Sequence, residues 1–272
     1  MADTVTSAPA RRPLLAFVAS VPIAVLGGLI GLGGAEFRLP VLAGPLRYAA
    51  RQAVPLNLAV SLVTLVVSLT IRAGTLSLDP LAPFGPAIVA MIAGALVTAW
   101  LGPALAARLS NERLEAVILV LLLAIGTALI VESFLPGATA TLVPEQAWPA
   151  AAVALGLGIG LVSRLLGVAG GELIIPSFVF AFGAPIKLAG TASLLVSLPT
   201  VMVGVLRWAR RGGYADRIAL RETVLPMAVG SVIGAVIGGL LVGVVPGSAL
   251  KLGLGVILIV SALRVFSHRR AR

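Results

Sequence analysis

Apolar runs fill most of the chain and are separated by short polar breaks. They cover roughly residues 14–31, 52–71, 84–107, 114–131, 148–163, 188–206, 223–245 and 250–266. Several reach the ~20 residues that an α-helix needs to cross a ~30 Å hydrocarbon core. The pattern predicts an all-α polytopic membrane protein of 8 to 10 helical segments. Composition agrees, since 59% of the residues are hydrophobic and only 11% charged, where an ordinary soluble domain is about a quarter charged. A mean hydropathy of +1.12 leaves too little polar surface to cover a water-soluble globule. With 31 Gly, 18 Pro and 5% aromatic residues, packed and broken helices fit better than barrel strands with aromatic girdles.

Composition also removes several chemistries. The chain has no Cys, and its single His is His268, in a basic tail. Thiolate metal sites, thiol nucleophiles and His-dependent zinc or serine chemistry within the membrane therefore lack a key residue. The expectation is a protein that is not an enzyme and holds no metal or cofactor. The formal charge of +10 reads as membrane topology rather than as a nucleic-acid surface.

An internal repeat organises the chain. Residues 31–40 read G-L-G-G-A-E-F-R-L-P and residues 167–176 read G-V-A-G-G-E-L-I-I-P, an offset of 136, half of the 272 residues. In that register Arg51 falls on Lys187, Ala53 on Ala189, Asn57 on Ser193, Ser61 on Ser197 and Thr64 on Thr200. We read a tandem duplication. It divides the chain into an N-terminal tail (1–13), repeat 1 (14–133), a linker (134–147), repeat 2 (148–267) and a basic tail (268–272). Arg11 and Arg12 before the first apolar run resemble the start of a signal peptide, but that run has its own partner in repeat 2 and is read as retained.

Positive residues orient the repeats. The linker between Glu132 and Glu145 has no Lys or Arg and is placed outside. If 14–46 and 148–184 each make an even number of passes, fifteen of the basic residues are cytoplasmic and three, Arg72, Lys187 and Lys251, are external. Arg38 and Arg164 then lie within the membrane. This model places both termini in the cytoplasm and makes the repeats inverted. The arm over 36–46 climbs only ~16 Å at ~1.5 Å per residue. The Gly-rich breaks are therefore expected near mid-membrane, at the tips of two hairpins that enter from opposite faces. Irregular backbone is tolerated there beside protein or a watery cavity, as at the binding sites of secondary transporters.

The tips carry the candidate chemistry. Gly33, Gly34 and Ala35, with Ala169, Gly170 and Gly171, leave backbone N–H groups open at the start of each second arm, an anion-favouring arrangement; small residues also simply let helices pack closely. Glu36 and Glu172 are carboxylates within the membrane, where an ionisable group is costly. They are candidate proton-coupling residues, or alternatively helix-start carboxylates paired with Arg38 or Arg164. Asn57, Ser61 and Thr64 share one helix face, and Ser193, Ser197 and Thr200 repeat the spacing. These side chains can replace water around an oxyanion or bond helix to helix. Arg38 and Arg164 are candidate counter-charges for the substrate, Arg38 the better placed of the two, or alternatively reach the lipid headgroups; Arg51 and Lys187 are anchors at helix ends, and Pro22, Pro40 and Pro176 candidate hinges. The cluster Arg207, Arg210, Arg211, Arg217 and Arg221 faces anionic lipid.

These two Gly-Gly segments, with A-V-P-L-N-L-A-V-S-L-V-T and K-L-A-G-T-A-S-L-L-V-S-L-P-T, resemble the TauE/SafE sulfite exporter family across nearly the whole chain. The resemblance implies a multi-pass permease of the plasma (inner) membrane. It would move sulfite, thiosulfate or an organosulfonate, commonly outward; the two hairpin tips add alternating access to that expectation, and Glu36 and Glu172 add proton coupling as an option. Its partners would be a small anion and membrane lipid, with no nucleic acid; the oligomeric state stays open, a homodimer included. Where family members commonly have a third glycine, this chain has Ala35 and then Glu36. Two other readings stand beside it. One is an anion channel. The other is an intramembrane lipid-phosphate phosphatase, whose Pro-Gly-x-Ser-Arg-Ser signature is missing; the nearest string, Pro246-Gly247-Ser248-Ala249, lacks the arginine.

Overall fold

The computed structural model describes residues 9–106, 111–134, 141–166 and 170–269. The described residues are helical, with no strand among them. The first half contains α1 (Pro13–Leu26), α2 (Ala35–Ala43), α3 (Ala50–Thr75), α4 (Gly85–Ala106) and α5 (Asn111–Phe134). The second contains α6 (Trp148–Leu166), α7 (Gly171–Pro176), α8 (Ile186–Arg210), the short turn α9 (Arg217–Ala219), α10 (Leu225–Val244) and α11 (Gly247–Arg269). Wider π-helical turns extend α1 over Gly27–Gly31 and α7 over Ser177–Ala181, and lead into α10 over Leu220–Val224. Among the described residues five helical stretches are long and apolar enough to span a bilayer: Pro13–Gly31, Arg51–Thr75, Asp79–Thr98, Ile186–Arg210 and Arg217–Val244. Large apolar side chains such as Val244 (83% exposed), Val89 (67%) and Val120 (66%) face outward, the surface expected where lipid rather than water is the solvent. The fold is that of an all-α polytopic membrane protein.

Glycine sets the two breaks. Gly33 and Gly34 have φ of +78° and +75°, and Gly170 has φ of +77°, a left-handed backbone that costs a residue with a Cβ roughly 1–2 kcal/mol. Each second arm starts directly after such a glycine, α2 after Gly34 and α7 after Gly170. α2 has nine residues, fewer than the eleven expected from sequence, because the chain leaves the helix at Gly44. Pro22 and Pro40 lie inside continuous helices, whereas Pro176 immediately precedes a π-helical turn.

Each hairpin returns to the end it came from. The Ala10 N–H donates to the Leu46 carbonyl at 2.9 Å, tying the two ends of the first hairpin. The Leu142 and Val143 N–H groups donate to the Phe180 and Ala181 carbonyls at 3.1 and 3.2 Å, tying those of the second. The two mouths lie at opposite ends of the α3 and α8 pair. α3 begins beside the first mouth, and near its finish the Arg72 guanidinium reaches the Lys187 carbonyl at the start of α8. α8 begins beside the second mouth, and just past its end the Tyr214 hydroxyl donates to the Pro55 carbonyl in α3 at 3.0 Å.

The long arm of each hairpin packs on a helix from the other half of the chain. α1 lies along α10, and α6 along α4. Glycines permit the approach: a Cβ added at Gly234 or Gly238 would strike the Val21 or Val25 carbonyl, and one at Gly94 or Gly156 the Val153 or Met91 carbonyl. Two bundles result, one of α1, α2, α3 and α10 and the other of α4, α6, α7 and α8. α3 and α8 join them through Leu58, Leu65, Leu194 and Val201. α5 and α11 pair separately through Gly126 and Gly255 and an ion pair of Lys251 with Glu132 at 2.6 Å.

Candidate functional site

The tips of the two hairpins meet. Gly31 lies against the backbone of Gly190 in α8, and a Cβ on Gly171 would stand 3.1 Å from Leu32 and 3.3 Å from the Ser193 hydroxyl. Gly33 packs on Leu65, near the middle of the 26-residue α3. A Cβ at Gly34 would come within 2.9 Å of Ile23 and 3.4 Å of the Arg38 guanidinium. With its positive φ, Gly34→Ala is expected to lower thermal stability and to cut transport at least ~10-fold, strain of ~1–2 kcal/mol being enough to shift the α2 start. Unfolding temperature and flux, read on the same preparation, check this.

Arg38 holds the centre of the first tip. It is fully buried, and its Nη1 donates to Asn57 Oδ1 at 3.3 Å and Ser61 Oγ at 2.9 Å. Its Nη2 donates to Thr64 Oγ1 at 3.1 Å and Ser231 Oγ at 3.5 Å. Asn57 also donates through Nδ2 to the Ala35 carbonyl at 3.0 Å, fixing the first turn of α2 to α3. The polar face of α3, expected to line a pathway directly, is thus turned toward a guanidinium. Every one of these acceptors is neutral, the Arg38 Nε is buried without a partner, and no carboxylate forms an ion pair with Arg38 among the described residues. Burying an ion costs several kcal/mol even after relaxation. Neutral hydrogen bonds offset part of that, without a contact ion pair.

The two carboxylates lie close to this centre. Both oxygens of Glu36 are shielded from solvent and lack a hydrogen-bond partner. Glu172 is 8% exposed and accepts from the Ser261 hydroxyl of α11 at 3.1 Å. The two carboxylates are near enough to act on one another electrostatically, and Glu36 is near enough to feel Arg38. The sequence alternative of a direct Glu36 to Arg38 ion pair is not formed.

The second tip is not a copy of the first. Ile174, 2% exposed, occupies the position equivalent to Arg38. Ser193 and Ser197 are fully buried; the Ser193 hydroxyl has no partner, while Thr200 donates to its own helix at the Val196 and Ser197 carbonyls. Gly170 and Gly171 are buried at the tip, and Ala169 and the Arg164 side chain lie outside the described residues. Arg51 is exposed at the start of α3, and the Lys187 ammonium donates to the Gly243 carbonyl at 3.2 Å. In the cytoplasm-assigned cluster Arg210, Arg211, Arg217 and Arg221 are exposed.

Sequence reasoning missed three residues. Ser231 is a lone hydroxyl within G-S-V-I-G-A-V-I-G, residues 230–238, and only the packing of α10 on α1 and α3 turns it to Arg38. Ser261 is likewise isolated in an apolar helix. Arg72, counted among the external charges, is fully buried, because it sits on α3 one turn before the helix ends and finds carbonyl acceptors inside.

The family model described as Sulfite exporter TauE/SafE matches residues 2–129 and 152–272. Comparison with curated proteins and with solved structures returned no match.

Proposed function

The chain belongs to the sulfite exporter TauE/SafE family and is a membrane transporter of sulfur-containing anions rather than an enzyme; on that footing we propose how it binds and moves one of them. The carrying observation is the buried guanidinium of Arg38, held by four neutral side chains with no carboxylate in ion-pair contact among the described residues. A small oxyanion such as sulfite, thiosulfate or the head of an organosulfonate supplies the missing charge. The open N–H groups at the start of α2 and the unpartnered Ser193 hydroxyl offer it further donors. Gly33, Gly34, Ala35, Gly170 and Gly171 bring backbone close enough to act. Ser61, Thr64 and Asn57 serve indirectly, by holding the guanidinium in place.

The same reading assigns the membrane sides. The end that carries the first hairpin mouth also carries Arg11, Arg47, Arg51 and the cluster from Arg207 to Arg221, so it faces the cytoplasm, with both termini and the repeats inverted. Arg11 and Glu222 approach to 3.7 Å at this end, while Lys187 and the Lys251 to Glu132 pair mark the other. Site access then alternates as the two bundles shift along the α3 and α8 seam. The moving unit is a bundle that exchanges one helix with the other half, not a repeat taken alone.

Reconstitution tests the substrate. Sulfite uptake into proteoliposomes, with and without an imposed pH gradient and in competition with thiosulfate, sulfate and sulfoacetate, is expected to saturate and to show counterflow. Non-saturating flux without counterflow would make the protein a channel, and lipid-phosphate release would make it an enzyme. Glu36 and Glu172, two interacting carboxylates in a dry site, are assigned proton coupling. Glu36→Gln and Glu172→Gln are each expected to leave sulfite counterflow intact and to remove the response of net flux to the pH gradient. An unchanged gradient response in both variants would end the coupling assignment.

A further inference from the structure

Arg72 lies on α3 at the far end of the molecule from the first hairpin mouth and takes no part in the anion site described above. It is fully buried, yet no carboxylate pairs with it among the described residues. Its Nε donates to the Gly28 carbonyl at 3.0 Å and its Nη2 to the Leu29 carbonyl at 2.7 Å, both in the π-helical turn that precedes the first tip. Its Nη1 donates to the Lys187 carbonyl at 3.2 Å and to the Thr191 hydroxyl at 3.0 Å, both on α8. One guanidinium therefore joins the broken arm of the first bundle to the leading turn of the second.

Its location is what gives this contact meaning. The Lys187 ammonium adds a second link between the bundles at this end, to the Gly243 carbonyl of α10. At the opposite end Tyr214 joins the bundles by a neutral hydrogen bond to the Pro55 carbonyl at 3.0 Å. Hydrogen bonds from a charged donor are roughly twice as strong as neutral ones, so the Arg72 and Lys187 contacts hold the Lys187 end closed. The backbone contact of Gly31 with Gly190 lies directly beneath the clasp and seals the same end. In the repeat, Trp208 stands at the position equivalent to Arg72.

We infer that Arg72 is a positioning residue for transport: it clasps the two bundles at the Lys187 end, and its release from Lys187 and Thr191 opens the tips to that side. The bonds to Gly28 and Leu29 stay within one bundle, so Arg72 travels with the first tip when the clasp parts. This role rests on the carrier reading, but its test does not depend on which anion is carried.

The chain has no cysteine, so a single engineered thiol reports access without background. Ser193→Cys places it at the meeting of the tips, and Ser248→Cys, exposed beside the start of α8, calibrates which membrane side is the Lys187 side. A charged, membrane-impermeant thiol reagent is applied from each side in turn. With Arg72 intact, labelling of Cys at 193 from the Lys187 side is expected to be slow; Arg72→Gln is expected to speed it at least ~10-fold on that side only. Thr191→Val, which removes one link and keeps the guanidinium, is expected to give the same one-sided change at a few-fold and covers the case in which Arg72→Gln fails to fold. Unchanged rates in Thr191→Val, or acceleration from both sides alike, would overturn the clasp. Absence of sulfite flux in the unmodified protein would instead overturn the substrate reading and leave the accessibility result intact.

Discussion

Arg38→Ala is expected to abolish anion transport, by at least ~100-fold in flux, while leaving a folded protein. The transport loss follows from the charge. Arg38 is the cation buried at the first tip, and a charge-assisted contact of about 2.8 kcal/mol already corresponds to two factors of ten. The modest effect on folding follows from two opposing costs. Removing the guanidinium leaves Asn57, Ser61, Thr64 and Ser231 without their shared donor, at ~1–3 kcal/mol for each group left unsatisfied. It also removes the penalty of several kcal/mol for holding an unpaired ion in a dry site. Arg38→Lys keeps a charge but not the planar fork that reaches acceptors on α3 and α10 together, and is expected to lose ~10-fold or more. Flux in proteoliposomes and unfolding temperature in detergent, measured on the same preparations, check both halves; wild-type flux in Arg38→Ala would remove Arg38 from the site.

Gly234→Val is expected to have the largest effect on folding. Its Cβ would strike the Val21 carbonyl and stand 2.8 Å from Ala24 Cβ and 2.9 Å from the Val25 backbone nitrogen. Two of these obstacles are backbone atoms of a helix, so no rotamer change relieves them. Overpacking usually costs ~1–3 kcal/mol where side chains can move aside; here α1 and α10 must separate, and the expected loss exceeds that range. The separation also removes Ser231 from Arg38. Gly243→Ala, on the same helix with nothing within 4 Å of the added Cβ, is the internal control and is expected to be neutral or slightly stabilising, since Ala favours a helix over Gly. Monodispersity and thermal unfolding in detergent distinguish the two. Equal behaviour of both variants would mean that the close α1 to α10 contact is not what holds the first bundle.

Much of the architecture could be read directly from residue order. The apolar runs are long enough to require helices, and the Gly-Gly segments at 33–34 and 170–171 mark the breaks because positive φ demands glycine. Even the recurrence of polar positions along α3 and α8 is a local signal, visible as spacing. Glu36, Glu172 and Arg38 stand out in the same way, as charges in apolar surroundings.

The partners of those residues were not readable, because partner choice depends on which helix faces which. Arg38, Asn57, Ser61 and Thr64 were separate candidates until α2 folded back against α3 and made them one cluster. Ser231, 193 positions away from Arg38, joined them only through the exchange of α10 into the first bundle. Arg72 shows the same limit from the other side: its place near the end of an apolar run suggests a solvated charge, yet the carbonyls freed at Gly28 and Leu29 draw it inward. Helix, break and repeat follow from short-range sterics and from the thickness of the bilayer, which act on neighbouring residues. The pairing of buried charges follows from long-range packing, where a desolvated guanidinium takes whichever acceptors the assembled helices bring within reach.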